Sequence, residues 1–260
     1  MPVFAGVDVG STTTKIVLMD GNGAIVGSRL GPTGAEHRSR SREVLQAACG
    51  EAGLSIEDVD YCVATGYGRI NVPYADRQIT EITCHARGVL HFFPDARSLI
   101  DIGGQDCKGV SIRGGKVDNF IMNDKCAAGC GRYLEVLAKT LHLTIDELGD
   151  TALRSGSPAE ISSTCTVFAE QEMVGKIAAG YPVEDVVAGV CEAISRRVYG
   201  LVMRIQIQPE TVFTGGGAKN AGIRAFLERQ LGYGLKIPPV DPQLVGGVGA
   251  AIFAGEFSRR

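Results

Sequence analysis

No stretch of the chain reaches the 18 or so uninterrupted apolar residues that a membrane helix needs. A spanning helix is therefore not expected. Nor does any basic stretch stand out. The 260 residues carry a formal net charge of -3, and Arg38, Arg40 and Arg42 form only a small cluster that reads as a solvated loop or helix start. Nucleic-acid binding is not expected on these grounds. The opening residues, Met-Pro-Val-Phe-Ala-Gly-Val-Asp, lack the basic n-region of a signal peptide and meet a carboxylate at Asp8. They read as a first strand, and a cytoplasmic location is expected. In that compartment eight cysteines do not read as a disulfide framework. Most read as small buried hydrophobes, and the exceptions have to be picked out by context.

What is present is an ordinary globular mixture, with 45% hydrophobic and 21% charged residues, enough for one large domain or two moderate ones. Val3 to Val9 reads as a strand and runs into Gly10-Ser11-Thr12-Thr13-Thr14. Lys15 to Met19 is a second strand, Gly21-Asn22-Gly23 a hairpin turn, and Ala24 to Leu30 a third strand. Ser39 to Ala52 and Thr80 to Leu90 have helical spacing, with a strand at Tyr61 to Thr65 between them. The order then recurs. Ser98 to Ile102 is a strand ending in Asp101 and Gly103-Gly104-Gln105-Asp106. Lys108 to Ile112 and Lys116 to Met122 are strands around Gly114-Gly115. Helices are expected over Gly131 to Leu148, Val167 to Ala179 and Val183 to Ile205, and a strand over Glu210 to Thr214. The two halves repeat one architecture rather than one sequence, and the boundary is placed near His91 to Ala96, giving halves 1–95 and 96–260.

Three glycine-rich turns carry the first chemical signal. In Asp8-x-Gly10-Ser11-Thr12-Thr13-Thr14-Lys15, small residues let the backbone turn sharply and aim N–H groups at phosphate oxygens. The hydroxyls add donors and Lys15 adds a positive charge. Asp8 suits a hydrated Mg2+, since hard cations prefer oxygen ligands. Taken alone, the segment also reads as a hairpin rich in small polar residues. Asp101-Ile102-Gly103-Gly104-Gln105-Asp106 has the same design, and the two turns can hold the two ends of a polyphosphate. Gly215, Gly216 and Gly217 follow a strand and precede a helix, which allows a nucleoside close to the backbone. The three clusters in this order point to nucleotide binding. They resemble the actin, sugar-kinase and acetate-kinase superfamily over nearly the whole chain. That resemblance implies an α/β actin-like ATPase fold of two ribonuclease-H-like halves with a nucleotide cleft between them, the first two turns on phosphates and the third on adenosine.

Two cysteines stand apart. Cys126 and Cys165 each precede a stretch of helical periodicity, where the helix dipole and free N–H groups favour a thiolate and an anionic cluster. Two thiolates are too few for a cubane, which usually takes four, but a two-fold homodimer supplies four. Spacing leaves this open beside a plainer reading, two buried cysteines at helix starts.

Four longer segments narrow the choice: Ala64-Thr65-Gly66-Tyr67-Gly68-Arg69, Asp101 to Asp106, Met122-Asn123-Asp124-Lys125-Cys126-Ala127-Ala128-Gly129, and Ser162-Ser163-Thr164-Cys165-Thr166-Val167-Phe168-Ala169-Glu170. Together they resemble the activator (ATPase) component of 2-hydroxyacyl-CoA dehydratases. That family also holds the ATPase subunits of benzoyl-CoA reductase and the reductases of double-cubane cluster proteins. The resemblance implies a homodimer with one [4Fe-4S] cluster per dimer, ligated by Cys126 and Cys165. It implies nucleotide contacts at Ser11 to Lys15, Gln105, Gly216 and Gln243. It further implies an iron–sulfur electron-acceptor enzyme as partner and ferredoxin or flavodoxin as donor. Cys130 departs from the family, which usually has a small hydroxyl residue there. It reads as a small side chain, with a further ligand or a tuner of potential as the alternatives. Cys107 reads as a core residue, and Cys84-His85 as part of a structural helix.

The resulting expectation is an ATPase that uses ATP/ADP and Mg2+ and delivers one low-potential electron to a partner. Nucleotide state would set the angle between the halves, and the helices after the two cysteines would carry that motion to the cluster. Asp8, Asp101 and Gln105 are the candidates for holding the metal and positioning water, without a ranking among them. Two alternatives stay open, a small-molecule kinase of the same superfamily and an actin-like filament or sensor ATPase without a cluster.

Overall fold

The computed structural model describes residues 1–34, 36–124, 130–162 and 166–259. They divide into two compact units. One comprises Met1–Ala96, Ile112–Asp118 and Pro238–Arg260, the other Arg97–Ser111 and Asn119–Ile237. The last segment of the chain thus belongs with the first unit, a long-range return that no single cut of the sequence describes.

The first unit is built on β1 (Val3–Val9), β2 (Thr13–Asp20), β3 (Ile25–Pro32), β4 (Val59–Thr65) and β5 (Arg77–Gln78), in the sheet order β3-β2-β1-β4-β5. β1 is antiparallel to β2 and parallel to β4. Strand side chains alternate between faces, and the core shows it. Val3, Ala5, Val7 and Val9 pack with Val44, Leu45 and Ala48 of helix α1 (His37–Glu51). From the other face, Phe4 and Val63 meet Cys84 of α2 (Glu81–Phe92) and Ala250 and Ala254 of a C-terminal helix, Val245–Ser258. A two-sided burial of this kind makes β1 apolar at every position except Asp8 at its end, which is why it is legible as a strand.

The second unit repeats the plan with β6 (Ser98–Ile102), β7 (Cys107–Arg113), β8 (Lys116–Asn123) and β9 (Thr211–Thr214), in the order β8-β7-β6-β9. Here β6 is antiparallel to β7 and parallel to β9. Most of β7 and the end of β8 lie in this unit. Its core gathers α3 (Gly131–Thr140), α4 (Ile145–Leu153), α5 (Thr166–Ala178), α6 (Val183–Val202) and α7 (Ala221–Leu231); the C-terminal helix of the first unit is α8.

The expected single helix over 131–148 is two helices. The chain breaks at His142, whose φ is +55°. Thr144 then starts α4 with a capping box, accepting from the Glu147 amide while Glu147 accepts from the Thr144 amide across 2.8 Å. Two orphan donors are satisfied reciprocally in this way, and a new start is favoured over one continuous helix. No helix among the described residues is long and apolar enough to cross a membrane.

Candidate functional site

In the first unit the site is built at the end of β1. The register pairs Asp8 with Lys15 across β2 and Asp8 with Thr65 along β4. Lys15 Nζ lies 3.3 Å from Asp8 Oδ2. Turn 1 between β1 and β2 is closed by the Gly10 amide donating to Thr13 O at 3.1 Å, and is tied to β3 by the Thr33 amide donating to Thr12 O at 3.0 Å. Thr33 also donates its hydroxyl to Gly10 O at 2.9 Å, and the Thr14 and Thr33 hydroxyls lie 3.0 Å apart. Thr14 is fully buried, so its hydroxyl serves the inside of the unit. Ser11 and Thr13 are half-buried and Thr12 is exposed.

Two further segments close on Asp8. Gly66 follows Thr65 in the left-handed region, φ +86°, and a Cβ there would stand 2.4 Å from Asp8 Oδ1. A Cβ on Gly246, in the first turn of α8, would stand 2.8 Å from Asp8 Oδ2. Gln243 sits just before that helix in the 3-10 turn Pro242–Leu244, its amide donating to Asp241 Oδ1 at 2.9 Å. The backbone thus walls the carboxylate closely. Asp8 Oδ2 itself is buried and makes no hydrogen bond.

In the second unit turn 2 joins β6 to β7. Asp101 faces Lys108 across the strands and Thr214 along β9. Lys108 Nζ lies 3.3 Å from Asp101 Oδ2 and 2.8 Å from Asp106 Oδ2. The Thr214 hydroxyl donates to Asp101 Oδ1 at 2.8 Å. The Gly103 amide donates to Asp106 O at 2.9 Å, and a Cβ on Gly103 would meet Asp106 Oδ1 at 2.2 Å. Gly104 is half-buried, and Gln105 is exposed on the turn. The third glycine cluster lies beside turn 2. Gly215, φ +79°, would place a Cβ 2.4 Å from Ile102 O, and Gly217 one 2.5 Å from Ile102 Cβ. Gly216 opens a 3-10 turn, Gly216–Lys219, that leads to Asn220, which caps α7 by accepting from the Ile223 amide at 2.9 Å.

Turn 2 also holds the start of α3. The Gly131 and Arg132 amides donate to Gly103 O and Gly104 O at 2.8 and 2.7 Å. Cys126 and Cys165 lie outside the described residues. Tyr133 in the first turn of α3 donates its hydroxyl to Ser162 O at 3.3 Å. Thr140 donates to Glu170 Oε1 of α5 at 2.9 Å, and the Ser162 amide donates to Glu172. Ser162 and α5 are thereby tied to α3. Cys130 is fully buried at the N-cap of α3. Beside it the Cys107 thiol is pushed up to about 12, by burial first and by Cys130 next. The Cys107 thiol thus lacks the thiolate character of a ready ligand. Among the described residues no three potential metal ligands cluster.

Lys108, Thr65, Thr214 and Asp106 were not singled out by the sequence reading. The signal for Lys108 was available, because the Asp101-to-Lys108 spacing repeats the Asp8-to-Lys15 spacing.

The sequence model of the BadF/BadG/BcrA/BcrD ATPase family matches residues 5–254. The 2-hydroxyisocaproyl-CoA dehydratase activator of Clostridioides difficile is 44% identical over 250 residues, which are 96% of this chain and 93% of that one. Among solved structures, the activator of the 2-hydroxyisocaproyl-CoA dehydratase from Clostridium difficile with bound ADPNP superposes with a TM-score of 0.93 at 42% identity, covering 99% of this chain and 96% of that one. The (R)-2-hydroxyglutaryl-CoA dehydratase component A of Acidaminococcus fermentans gives 0.95 at 38% identity, covering 100% of both chains. A ROK hexokinase from Thermus thermophilus, at 16% identity and a TM-score of 0.51 over 99% of each chain, shares the fold alone. With two units of one plan, each ending its first strand in an Asp–Lys pair and a glycine-rich turn, the chain has the actin-like ATPase fold and belongs to the BadF/BadG/BcrA/BcrD ATPase family.

Proposed function

We propose that this chain is an ATP-driven reductive activator, a homodimer that delivers a low-potential electron to an iron–sulfur dehydratase or reductase. The observation that supports it most directly is the hydrogen-bonded seat of α3 on turn 2, because it ties a phosphate turn to the helix that follows Cys126.

The residues fit a nucleotide with a divalent cation. Asp8 Oδ2 is a buried carboxylate oxygen that makes no hydrogen bond and is met by the Lys15 ammonium at 3.3 Å, so a bound cation could take the place of that ammonium without a hydrogen bond being broken at this oxygen. Asp8 would hold Mg2+ through oxygen, as hard cations require. Lys15 and the turn-1 amides would take phosphate oxygens in the first unit; in the second, Gln105 on turn 2 would position water and Gly215 to Gly217 would lie against adenosine. Preorganised donors of this kind stabilise developing phosphate charge.

Cys126 and Cys165 would hold the cluster as thiolates; the described chain that follows the first and flanks the second, α3, Ser162 and α5, is tied together by hydrogen bonds. The cluster, when bound, supplies one-electron chemistry. The protein's part is to hold it at a two-fold interface and to link its exposure to the nucleotide. Ferredoxin or flavodoxin is the proposed donor.

Anaerobic iron analysis tests the reading. The expected content is about two irons per chain, because a four-iron cubane is shared by two chains, and the protein should be brown. Four irons per chain, or a colourless protein after reconstitution, sinks the shared cluster. Cys126→Ala is expected to remove the iron and weaken the dimer.

A further inference from the structure

Thr33, the residue after β3, holds turn 1 from within the first unit. It is fully buried, as is Thr14. Its amide donates to Thr12 O at 3.0 Å and its hydroxyl to Gly10 O at 2.9 Å. A hydroxyl has one proton to give. With that proton on Gly10 O, the 3.0 Å contact between the two threonine hydroxyls is one in which Thr14 donates to Thr33 Oγ1. One residue thus takes two carbonyls of the turn and links Thr14 to Gly10 through a buried chain of hydroxyls.

In a trans peptide the C=O of one residue and the N–H of the next point in opposite directions. Holding Gly10 O and Thr12 O on Thr33 therefore aims the amides of Ser11 and Thr13 away from it. Resting on the nucleotide reading above, we infer that Thr33 is a positioning residue for the phosphate, fixing which backbone groups of turn 1 meet the ligand. Amides attract phosphate oxygens and carbonyl oxygens repel them, so a single reversed peptide would turn a donor into a repulsive group. Glycine is the residue most free to allow that reversal, and Gly10 is where the Thr33 hydroxyl is spent. The Lys15 ammonium lies against the same residue, since a Cβ on Gly10 would stand 2.8 Å from Lys15 Nζ. Turn 2 is braced in the same sense by other means, its Gly103 and Gly104 carbonyls being taken by the amides of Gly131 and Arg132. The brace of turn 1 includes a side chain, so part of it can be removed as a single hydroxyl.

Binding of Mg·ADP, followed by calorimetry, reads the role. Thr33→Val keeps the shape, removes the hydroxyl, and is expected to weaken Mg·ADP at least tenfold. Thr33→Ser keeps the hydroxyl and should bind within threefold of wild type. Amide hydrogen exchange gives the local signature. Mg·ADP should slow exchange at Ser11 and Thr13 in wild type and in Thr33→Ser, and the slowing at Ser11 should be lost in Thr33→Val. Wild-type affinity in a folded Thr33→Val overturns the assignment. So does a loss in Thr33→Ser equal to that in Thr33→Val, which would make shape rather than the hydroxyl the cause. Should Thr33→Val not fold, the exchange pattern of wild type still decides, because Mg·ADP that binds without slowing either amide overturns the assignment. Wild-type protein that binds no Mg·ADP overturns the nucleotide reading, and this assignment with it.

Discussion

The amide of Gly131 donates to the carbonyl of Gly103 across 2.8 Å, so the first turn of α3 hangs on the backbone of turn 2. The first N–H groups of a helix have no partner within it. Here two of them are satisfied by the turn rather than by water or a side-chain cap. A Cβ at 131 would crowd this approach, standing 3.1 Å from Gly103 O and 3.3 Å from Gly104 Cα.

Gly131→Ala is therefore expected to stretch both bonds and cost about 1–2 kcal/mol of stability, read as a lower denaturant midpoint. Its sharper consequence is local. In wild type, ADP with Mg2+ should slow hydrogen exchange at the amides of 131 and 132. In Gly131→Ala that slowing should shrink. An unchanged nucleotide effect on those amides would show that turn 2 and α3 move independently.

Gly66 and Gly215 invite a comparison with glycines of positive φ that have open space around them. All have positive φ, where an L side chain costs roughly 1–2 kcal/mol. At Gly23 and Gly114 a Cβ meets nothing within 4 Å, whereas at Gly66 and Gly215 it meets oxygen at 2.4 Å. Alanine at Gly66 or Gly215 should thus destabilise by about 1–2 kcal/mol more than alanine at Gly23 or Gly114, because the crowding term adds to the backbone term. Equal denaturant midpoints across the four variants would remove the close approach from the account.

The extent to which this was legible in the sequence follows the range of the interactions. β1 and β6 are buried on both faces, so their apolar runs end at Asp8 and Asp101 without ambiguity. The glycine turns are local and were readable as turns. The break between α3 and α4 is also written in the sequence, in Thr144 and Glu147 at capping-box spacing, although the apolar periodicity runs on across it. The C-terminal helix was not legible. Val245–Ser258 is rich in glycine, a poor helix former, and its reason lies far away in sequence. A Cβ on Gly249 would strike Cys84 O at 1.8 Å, and one on Gly6 would strike Gly247 O at 2.0 Å. Tertiary packing overrides propensity there. The pairing of Lys108 with Asp101 and Asp106 depends on the register of β6 on β7, which brings Lys108 opposite Asp101.

Buried thiols give a chemical test of the same core. Burial pushes Cys62, Cys84, Cys107 and Cys191 up to about 12 from an ordinary value of 9.0. Only the thiolate reacts with alkylating agents. In the folded, cluster-free chain at pH 8.5, these four are expected to react with iodoacetamide far more slowly than in the unfolded chain. The folded form also holds four protons that the unfolded form loses between pH 9 and 12, so stability should fall as pH rises through that window. Mass-spectrometric mapping of alkylated sites and denaturation at pH 8 and pH 10 check both. Rapid native labelling of Cys107 would show that turn 2 opens far more readily than its contacts allow.

The final expectation joins the nucleotide to the proposed cluster. Turn 2 holds α3 through Gly131 and Arg132, α3 holds Ser162 through Tyr133, and Glu170 of α5 holds Thr140. A phosphate that shifts turn 2 therefore pulls on the starts of both helices that flank the cysteine segments. Whatever ATP does to the cluster, the state of the cluster must do in return to ATP affinity. Couplings of this type are typically about 1–3 kcal/mol. For one electron roughly 60 mV corresponds to 1.4 kcal/mol, so the reduction potential should differ by on the order of 40–130 mV between ADP and ATP states. An iron chelator should also remove the proposed cluster faster with ATP than with ADP, because opening the proposed dimer would expose its iron. In Lys15→Ala both differences should shrink, since the γ-phosphate loses its cation partner, while the ADP-state potential stays near that of wild type. In Tyr133→Phe, which removes only the hydroxyl that reaches Ser162, nucleotide affinity should hold within about threefold, a change of under ~0.7 kcal/mol, and the ATP-to-ADP ratio of chelation rates should drop. Equal potentials and equal chelation rates for the two nucleotides in wild type would mean that the ties through α3 carry no signal, and that ATP hydrolysis and electron delivery are linked by another part of the chain.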